Sequence, residues 1–154
     1  MVPHELVKIR KATLKDLPAI LRLRKRNNQP NIENLHALFK VKNPNEKCRF
    51  FVAEEDNGRI VGYARLHLYK WNNSASIIEL LVNAEHRRKG VGTMLLKTAE
   101  NFSRENKCRV LMFDTALDNI PAIQLYLKNG YSICGYNDEL YQNGKTAIYL
   151  AKKL

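Results

Sequence analysis

Cysteine is scarce: three residues in 154, Cys48, Cys108 and Cys134, an odd number with no two close together. That excludes a metal-binding spacing and argues against a disulfide framework, so the three read as small, partly buried thiols. No apolar run approaches the roughly 18 residues that a membrane-crossing helix needs. Residues 1–11 contain no apolar stretch of signal-peptide length, so the expected location is the cytoplasm. Repeats, low-complexity tracts and linkers are also missing, which predicts one domain over residues 1–154. Acidic residues are outnumbered, 15 against 26 basic ones, and the formal net charge is +11. Such a surface favours an anionic partner: a nucleic acid, an acidic protein surface or a polyanionic small molecule.

What is present is a core-forming chain, 45% apolar. A chain of this length buries about 68–70% of its extended surface on folding. Val7 to Arg10 alternate apolar and basic, a short first strand. Thr13 and Asp16 carry the pattern of a helix start, and Leu17, Ile20, Leu21 and Arg24 continue at helical spacing. Ile32, Leu35, His36, Leu38 and Phe39 predict a second short helix, ended before Pro44. Strands are expected over Arg49 to Glu54, Ile60 to Tyr69 and Ser76 to Val82, joined by turns at Asn57-Gly58 and Asn72-Asn73-Ser74. A helix follows Gly92, with Val91, Met94, Leu95, Thr98 and Phe102 on one face and Lys97, Glu100, Asn101, Arg104 and Glu105 on the other. Arg109 to Thr115 reads as a buried strand, parallel to the one before that helix. Asp118-Asn119 is expected to cap a helix carrying Ile123, Tyr126 and Leu127, stopped at Gly130. Two final strands, Tyr131 to Tyr136 and Lys145 to Leu150, complete a mixed α/β (α+β) domain. Its sheet is largely antiparallel.

The chemistry-bearing stretch is Val82 to Thr93, a strand end, a basic glycine-containing turn and a helix start. Backbone N–H groups and the helix dipole converge there, which suits a phosphate. Arg87, Arg88 and Lys89 add three positive charges. A P-loop is excluded because Lys89 precedes Gly90 instead of following a second glycine. A dinucleotide fold has Asp114 as a tempting ribose partner, but Leu95 stands where its third glycine belongs. Seven residues also separate the strand from Gly90, too many for its tight turn.

Arg87-x-x-Gly90-x-Gly92, placed after a strand and before a helix, resembles the acetyl-CoA signature of the GNAT superfamily of N-acetyltransferases, Arg/Gln-x-x-Gly-x-Gly/Ala. Asn119-x-x-Ala122-Ile123-x-Leu125-Tyr126-x-x-x-Gly130-Tyr131 resembles the other characteristic stretch of that family, with Tyr131 standing for a phenylalanine. The resemblance implies a GNAT-like sheet splayed around a parallel strand pair and flanked by about four helices. It implies acetyl-CoA as cosubstrate, no metal, and transfer of an acetyl group to a primary amine by direct attack.

By the same resemblance, backbone N–H groups from Arg88 to Thr93 bind the pyrophosphate, with Gly90 and Gly92 letting the backbone approach and Val91 between them. The pantetheine arm lies along Leu80, Leu81 and Val82, and a backbone N–H near Val82 polarises the thioester. Asn119 hydrogen-bonds the pantetheine or ribosyl end. Tyr126 matches the general acid that protonates the leaving thiolate. An amine is mostly protonated near neutral pH, so a base or water relay must take a proton from it. Glu79 and Asp114, acids in otherwise apolar runs, are the candidates. His86, in the basic turn, is expected to be exposed and without a chemical role. Tyr69, Trp71 and Tyr141 either border the acceptor site or pack.

The acceptor stays open. The ending, Tyr136 to Tyr141 and the last strand, resembles both ribosomal-protein N-terminal and streptothricin-type acetyltransferases. A protein N-terminus or a lysine competes with an antibiotic or polyamine. A non-catalytic basic module binding CoA or RNA is the rival class. The absence of an RNA-binding signature with interleaved aromatics argues against nucleic acid. No membrane partner is expected, and self-association into a homodimer is compatible with the sequence.

Overall fold

The computed structural model describes residues 6–29 and 46–154, with side chains from Cys48 onward in the second stretch. The short helix expected around Ile32 to Phe39 lies outside these residues. The described elements are β1 (Lys8–Lys11), a 3₁₀ turn (Leu14–Asp16), α1 (Leu17–Arg26), β2 (Glu46–Glu54), β3 (Ile60–Tyr69) and β4 (Ser74–Val82). A second 3₁₀ turn (Ala84–His86), α2 (Val91–Glu105), β5 (Val110–Ala116), α3 (Ile120–Lys128), β6 (Ser132–Asn137) and β7 (Ala147–Lys153) follow. The seven strands form one sheet in the order β1-β2-β3-β4-β5-β7-β6. Every neighbouring pair is antiparallel except β4 and β5, which the crossover through α2 makes parallel.

Alternation along β2 divides the core. Phe51 and Ala53 point to the face covered by α2, with Leu66, Ile77, Leu95, Leu96, Leu111, Tyr126 and Leu150. Phe50 and Val52 point to the other face, where Ile20 and Leu23 of α1 pack with Tyr63. Gly62 permits the close seating of α2, since a Cβ there would stand 3.0 Å from the Leu81 carbonyl oxygen and 3.3 Å from Leu95 Cδ1. The α2 stripe is rotated from the expected one. Met94 is exposed and Glu100 is buried. Glu100 can be inside because Tyr131 Oη and Lys152 Nζ each donate to its Oε1 at 3.2 Å.

The sheet opens where β4 leaves β5. The parallel pairing runs from Ser74 opposite Val110 to Ile77 opposite Phe113 and then stops. β5 continues along β7 to Ala116, while β4 continues along β3 to Val82. A register shift at this point, with Arg65 opposite Glu79 and Leu66 opposite Ile77, leaves Ile78 as a bulged residue. Bulges add twist and turn a strand away from its neighbour. Residues 78–82 therefore present a backbone edge with no strand beside it among the described residues. Trp71, 83% exposed in the β3–β4 turn, lies at the opposite end of β4 and does not border this opening. Tyr69, beside it, packs on His67 with ring centroids 4.5 Å apart.

An ion-pair cluster ties β1 to the start of α1. Arg10 reaches Asp16 with two parallel hydrogen bonds of 2.8 Å and Glu54 with a third of 2.8 Å. The Thr13 backbone N–H donates to Asp16 at 2.7 Å. The Arg10 guanidinium holds the Asp16 carboxyl below the ordinary carboxylate range, overcoming the opposing effect of burial. A carboxyl depressed in the folded state stabilises above its unfolded pKa of about 3.9, and the contribution is lost as pH falls through the folded value. Asp16→Asn is expected to lower stability by about 1–2 kcal/mol in urea melts at neutral pH, less as the medium becomes acidic. A deficit as large at about pH 3 as at pH 7 would contradict that assignment.

Candidate active site

The turn after β4 is built by backbone handedness. Arg88 has φ 60° and Gly90 φ 86°, both left-handed, and no side chain would clash at Gly90, so glycine there serves conformation alone. Gly90 is the N-cap of α2 and supplies no side-chain cap, and the first turn has no acidic residue. The leading N–H groups of α2 thus remain available to an anion. Gly92 is needed for space. A Cβ there would come within 3.3 Å of Leu125 on α3, with Leu80 and Val82 behind it at 3.8 and 3.9 Å. The first turn of α2 therefore sits against both α3 and the splayed end of β4.

The basic side chains divide. Arg88 and Lys89 are exposed and make no hydrogen bond or ion pair with the described residues, as a long-range phosphate attraction requires. Arg87 is engaged instead: its Nε donates to the Val82 carbonyl at 3.0 Å and its Nη2 to Asn27 Oδ1 at 2.7 Å. It ties the end of α1 to the end of β4. His86 is not exposed as expected. Its side chain is 13% exposed and its Nε2 lies 2.7 Å from Oε1 of the buried Glu55, anchoring the turn from beneath.

Leu80, Leu81 and Val82 occupy the unpaired part of β4. Leu80 and Val82 face α2 and Leu81 faces α1. Val91 is buried under the turn and Thr93 is half-buried beside it. Asn119 is the residue before α3 but makes no capping bond. Its Nδ2 donates to Thr115 Oγ1 at 3.0 Å, fixing the β5–α3 connection, and the expected cap is not formed.

Tyr126 is 1% exposed, stacked on Phe113 with centroids 4.0 Å apart and planes 10° apart. Tyr131 meets the same ring edge-on at 5.0 Å. Phe113 is the last residue of β5 to pair with β4, so the stack stands at the opening of the sheet. The Tyr126 hydroxyl finds no hydrogen-bond partner among the described residues. Burial, and then the nearby Tyr131 and Asp114, push this phenol well above its ordinary range. It keeps its proton through the physiological range.

The two acids lie on one face, opposite Tyr126. Asp114 follows Phe113 and so points to the other side of β5, where the Tyr141 hydroxyl donates to its Oδ2 at 2.7 Å. Glu79 points to the α1 face, where Arg24 Nη1 and the Tyr63 hydroxyl both donate to its Oε2. Glu79 is therefore the partner of a buried guanidinium, not a plain outward strand residue. Sequence reasoning missed Arg24 and Tyr63 as partners, although Ile20 and Arg24 stand four apart and must share a helix face. Among the described residues no group of three or more His, Cys, Asp or Glu side chains is placed to hold a metal ion.

A glycine turn at an uncapped helix start, a sheet open between β4 and β5 and a buried phenol with no partner among the described residues occur together here. The Acetyltransferase (GNAT) family model matches residues 16–131. The chain belongs to the GNAT family of acetyltransferases. An uncharacterized N-acetyltransferase of Methanocaldococcus jannaschii is 38% identical over 148 residues, covering 94% of this chain and 90% of the relative. The streptothricin acetyltransferase of Streptomyces lavendulae is 34% identical over 107 residues, covering 67% of this chain but only 57% of that relative's length. The N-alpha-acetyltransferase of Sulfurisphaera tokodaii is 29% identical over 160 residues, covering 96% and 93%. The crystal structure of ribosomal-protein-alanine N-acetyltransferase from Brucella melitensis superposes with a TM-score of 0.82 at 26% identity, covering 96% and 99%.

Proposed function

We propose that this GNAT enzyme transfers the acetyl group of acetyl-CoA to the N-terminal amine of a protein. The observation that carries the reading is the Tyr126 hydroxyl, buried, protonated and unpartnered beside the opening between β4 and β5. A buried polar group without a partner is unfavourable unless function requires it.

The described residues fit acetyl-CoA. The N–H groups of Arg88 to Thr93 and the α2 dipole would hold its pyrophosphate, with Arg88 and Lys89 adding charge. The free edge of Leu80 to Val82 would hydrogen-bond the pantetheine arm as a neighbouring strand does. Asn119 stands at the N-terminal end of α3, beside the end of β5. Acetyl-CoA supplies an activated acyl carbon and a thiolate leaving group. Asp114, directly or through water, takes a proton from the acceptor ammonium and so frees the attacking lone pair. Tyr126 gives its proton to the departing sulfur. The nitrogen loses a second proton as the amide forms; of the two protons it gives up, one restores Tyr126 through water and the other passes to solvent, so no net proton is retained by the protein. Asp114 suits the base role better than Glu79, whose Oε2 is committed to a guanidinium.

A protein acceptor is favoured by the relatives that match along nearly their whole length, among them an N-alpha-acetyltransferase. The streptothricin relatives match over 57%, 47% and 48% of theirs. A surface of net charge +11 also repels a polycationic antibiotic. The test is thiol release from acetyl-CoA with a panel of peptides bearing free or blocked N-termini, set against streptothricin and polyamines. Release with free peptides and not with blocked ones is expected. Release with streptothricin alone selects the small-molecule reading, and failure to bind acetyl-CoA overturns both.

A further inference from the structure

Arg24 poses a question that packing does not answer. Its side chain is 4% exposed, within the apolar cluster of Ile20, Leu23, Phe50, Val52 and Tyr63. Burying a guanidinium is unfavourable, and a well-packed apolar residue of similar size usually serves stability as well or better. What Arg24 does here is geometric. Its Nη1 donates to Glu79 Oε2 and, at 2.6 Å, to the Tyr63 hydroxyl, which itself donates to the same Oε2. Three elements, α1, β3 and β4, thereby fix one carboxylate through one of its oxygens.

The other oxygen is left over. Among the described residues Glu79 Oε1 has no hydrogen-bond partner, and the Glu79 side chain is 23% exposed. Glu79 stands two residues past Ile77, the last residue of β4 paired with β5, beside the Leu80–Val82 edge. It shares its face of the sheet with Asp114, across the opening. A strongly basic protein thus sets two carboxylates at the mouth, on the side away from Tyr126.

We propose that Glu79 is the recognition carboxylate for the charged amine of the acceptor, receiving its N–H on Oε1, and that Arg24 is the positioning residue that holds it there. This rests on the acetyltransfer reading above and separates two tasks. Glu79 binds the ammonium as it arrives, and Asp114 takes the proton. An acceptor amine that is uncharged at neutral pH gains nothing from Glu79. The acceptors served are accordingly alkylammonium ions such as a free protein N-terminus.

The experiment compares two acceptors in steady-state assays at pH 7. One is a peptide with a free N-terminal alanine; the other is the same peptide starting with an aminooxyacetyl group, whose nitrogen is uncharged. Glu79→Gln is expected to raise KM for the first by roughly 10-fold or more, the scale of a hydrogen bond to a charged group. KM for the second and for acetyl-CoA should stay within about twofold of the parent value, since neither engages the carboxylate. Arg24→Gln should reproduce this selective loss, and Arg24→Lys should recover part of it. The double variant Arg24→Met, Glu79→Leu provides a folded control: it removes both charges together, takes these two partners from the Tyr63 hydroxyl, and should unfold in urea in one cooperative transition at a midpoint somewhat below that of the parent. An unchanged KM for the alanine peptide in that folded double variant overturns the proposal. So does a fall in kcat shared by both acceptors, which would make Glu79 the base. No transfer to either peptide by the parent enzyme would instead overturn the N-terminal acetyltransfer reading on which the proposal stands.

Discussion

Tyr126→Phe is expected to lower kcat about 100-fold, the scale on which a general acid contributes, with acetyl-CoA bound as tightly as before. The substitution is unusually clean here. The ring remains, so the stack on Phe113 and the edge contact with Tyr131 remain. The hydroxyl has no partner to abandon among the described residues, so its removal leaves no stranded donor or acceptor. Stability in urea should be unchanged or slightly higher, because a desolvated polar group has been deleted. The parent should also keep its activity as pH rises into the alkaline range, because burial holds the Tyr126 proton well above the usual phenol value. Equal losses in kcat and in acetyl-CoA affinity would identify Tyr126 as a packing residue only.

Asp114→Asn should reduce kcat/KM by roughly 100-fold at pH 7, again the scale of proton transfer by a placed side chain. The amide keeps the shape of the carboxyl and an oxygen that can accept from Tyr141, so the loop contact need not fail. What it cannot do is hold the amine's proton. The free-base fraction of the acceptor grows as pH approaches the pKa of its amine, about 8 for an N-terminus. The deficit of Asp114→Asn should therefore shrink steadily between about pH 6 and 9. A deficit that ignores pH would remove Asp114 from the proton path, and a larger one in Glu79→Gln would transfer the role to that residue.

The sequence carried the parts of this fold that depend on local pattern. Alternation located the first strand, apolar runs between turn residues located most of the others, and Asn57-Gly58 and Gly130 marked a turn and a helix end whose glycines are left-handed, at φ 85° and 91°. The spacing of Arg87, Gly90 and Gly92 located the turn. Pairings made at long range were not legible. Glu100 reads as an outward residue until Lys152, fifty-two residues on, is seen beside it. His86 reads as exposed until Glu55 is found beneath it. Arg24 reads as helix-end charge, yet it reaches β4. Asn119 reads as a cap, yet its side chain is taken by Thr115. In each case a polar group changes its meaning because a distant residue arrives to satisfy it, and no local window contains both.

The opening of the sheet has one more implication. Among the described residues, four residue pairs, Ser74 to Ile77 against Val110 to Phe113, make the strand-to-strand junction between the β1–β4 and β5–β7 portions. The two portions are leaves of a book bound along a short spine. Glu79 belongs to one leaf and Asp114 to the other, just beyond the spine. Their separation is therefore governed by the angle between the leaves, and by neither strand alone. Ala75, Ile77 and Leu111, all within 1% of complete burial in that spine, set the angle by their volume. Residues that touch no substrate thereby become the calibrators of how far apart the two acids stand.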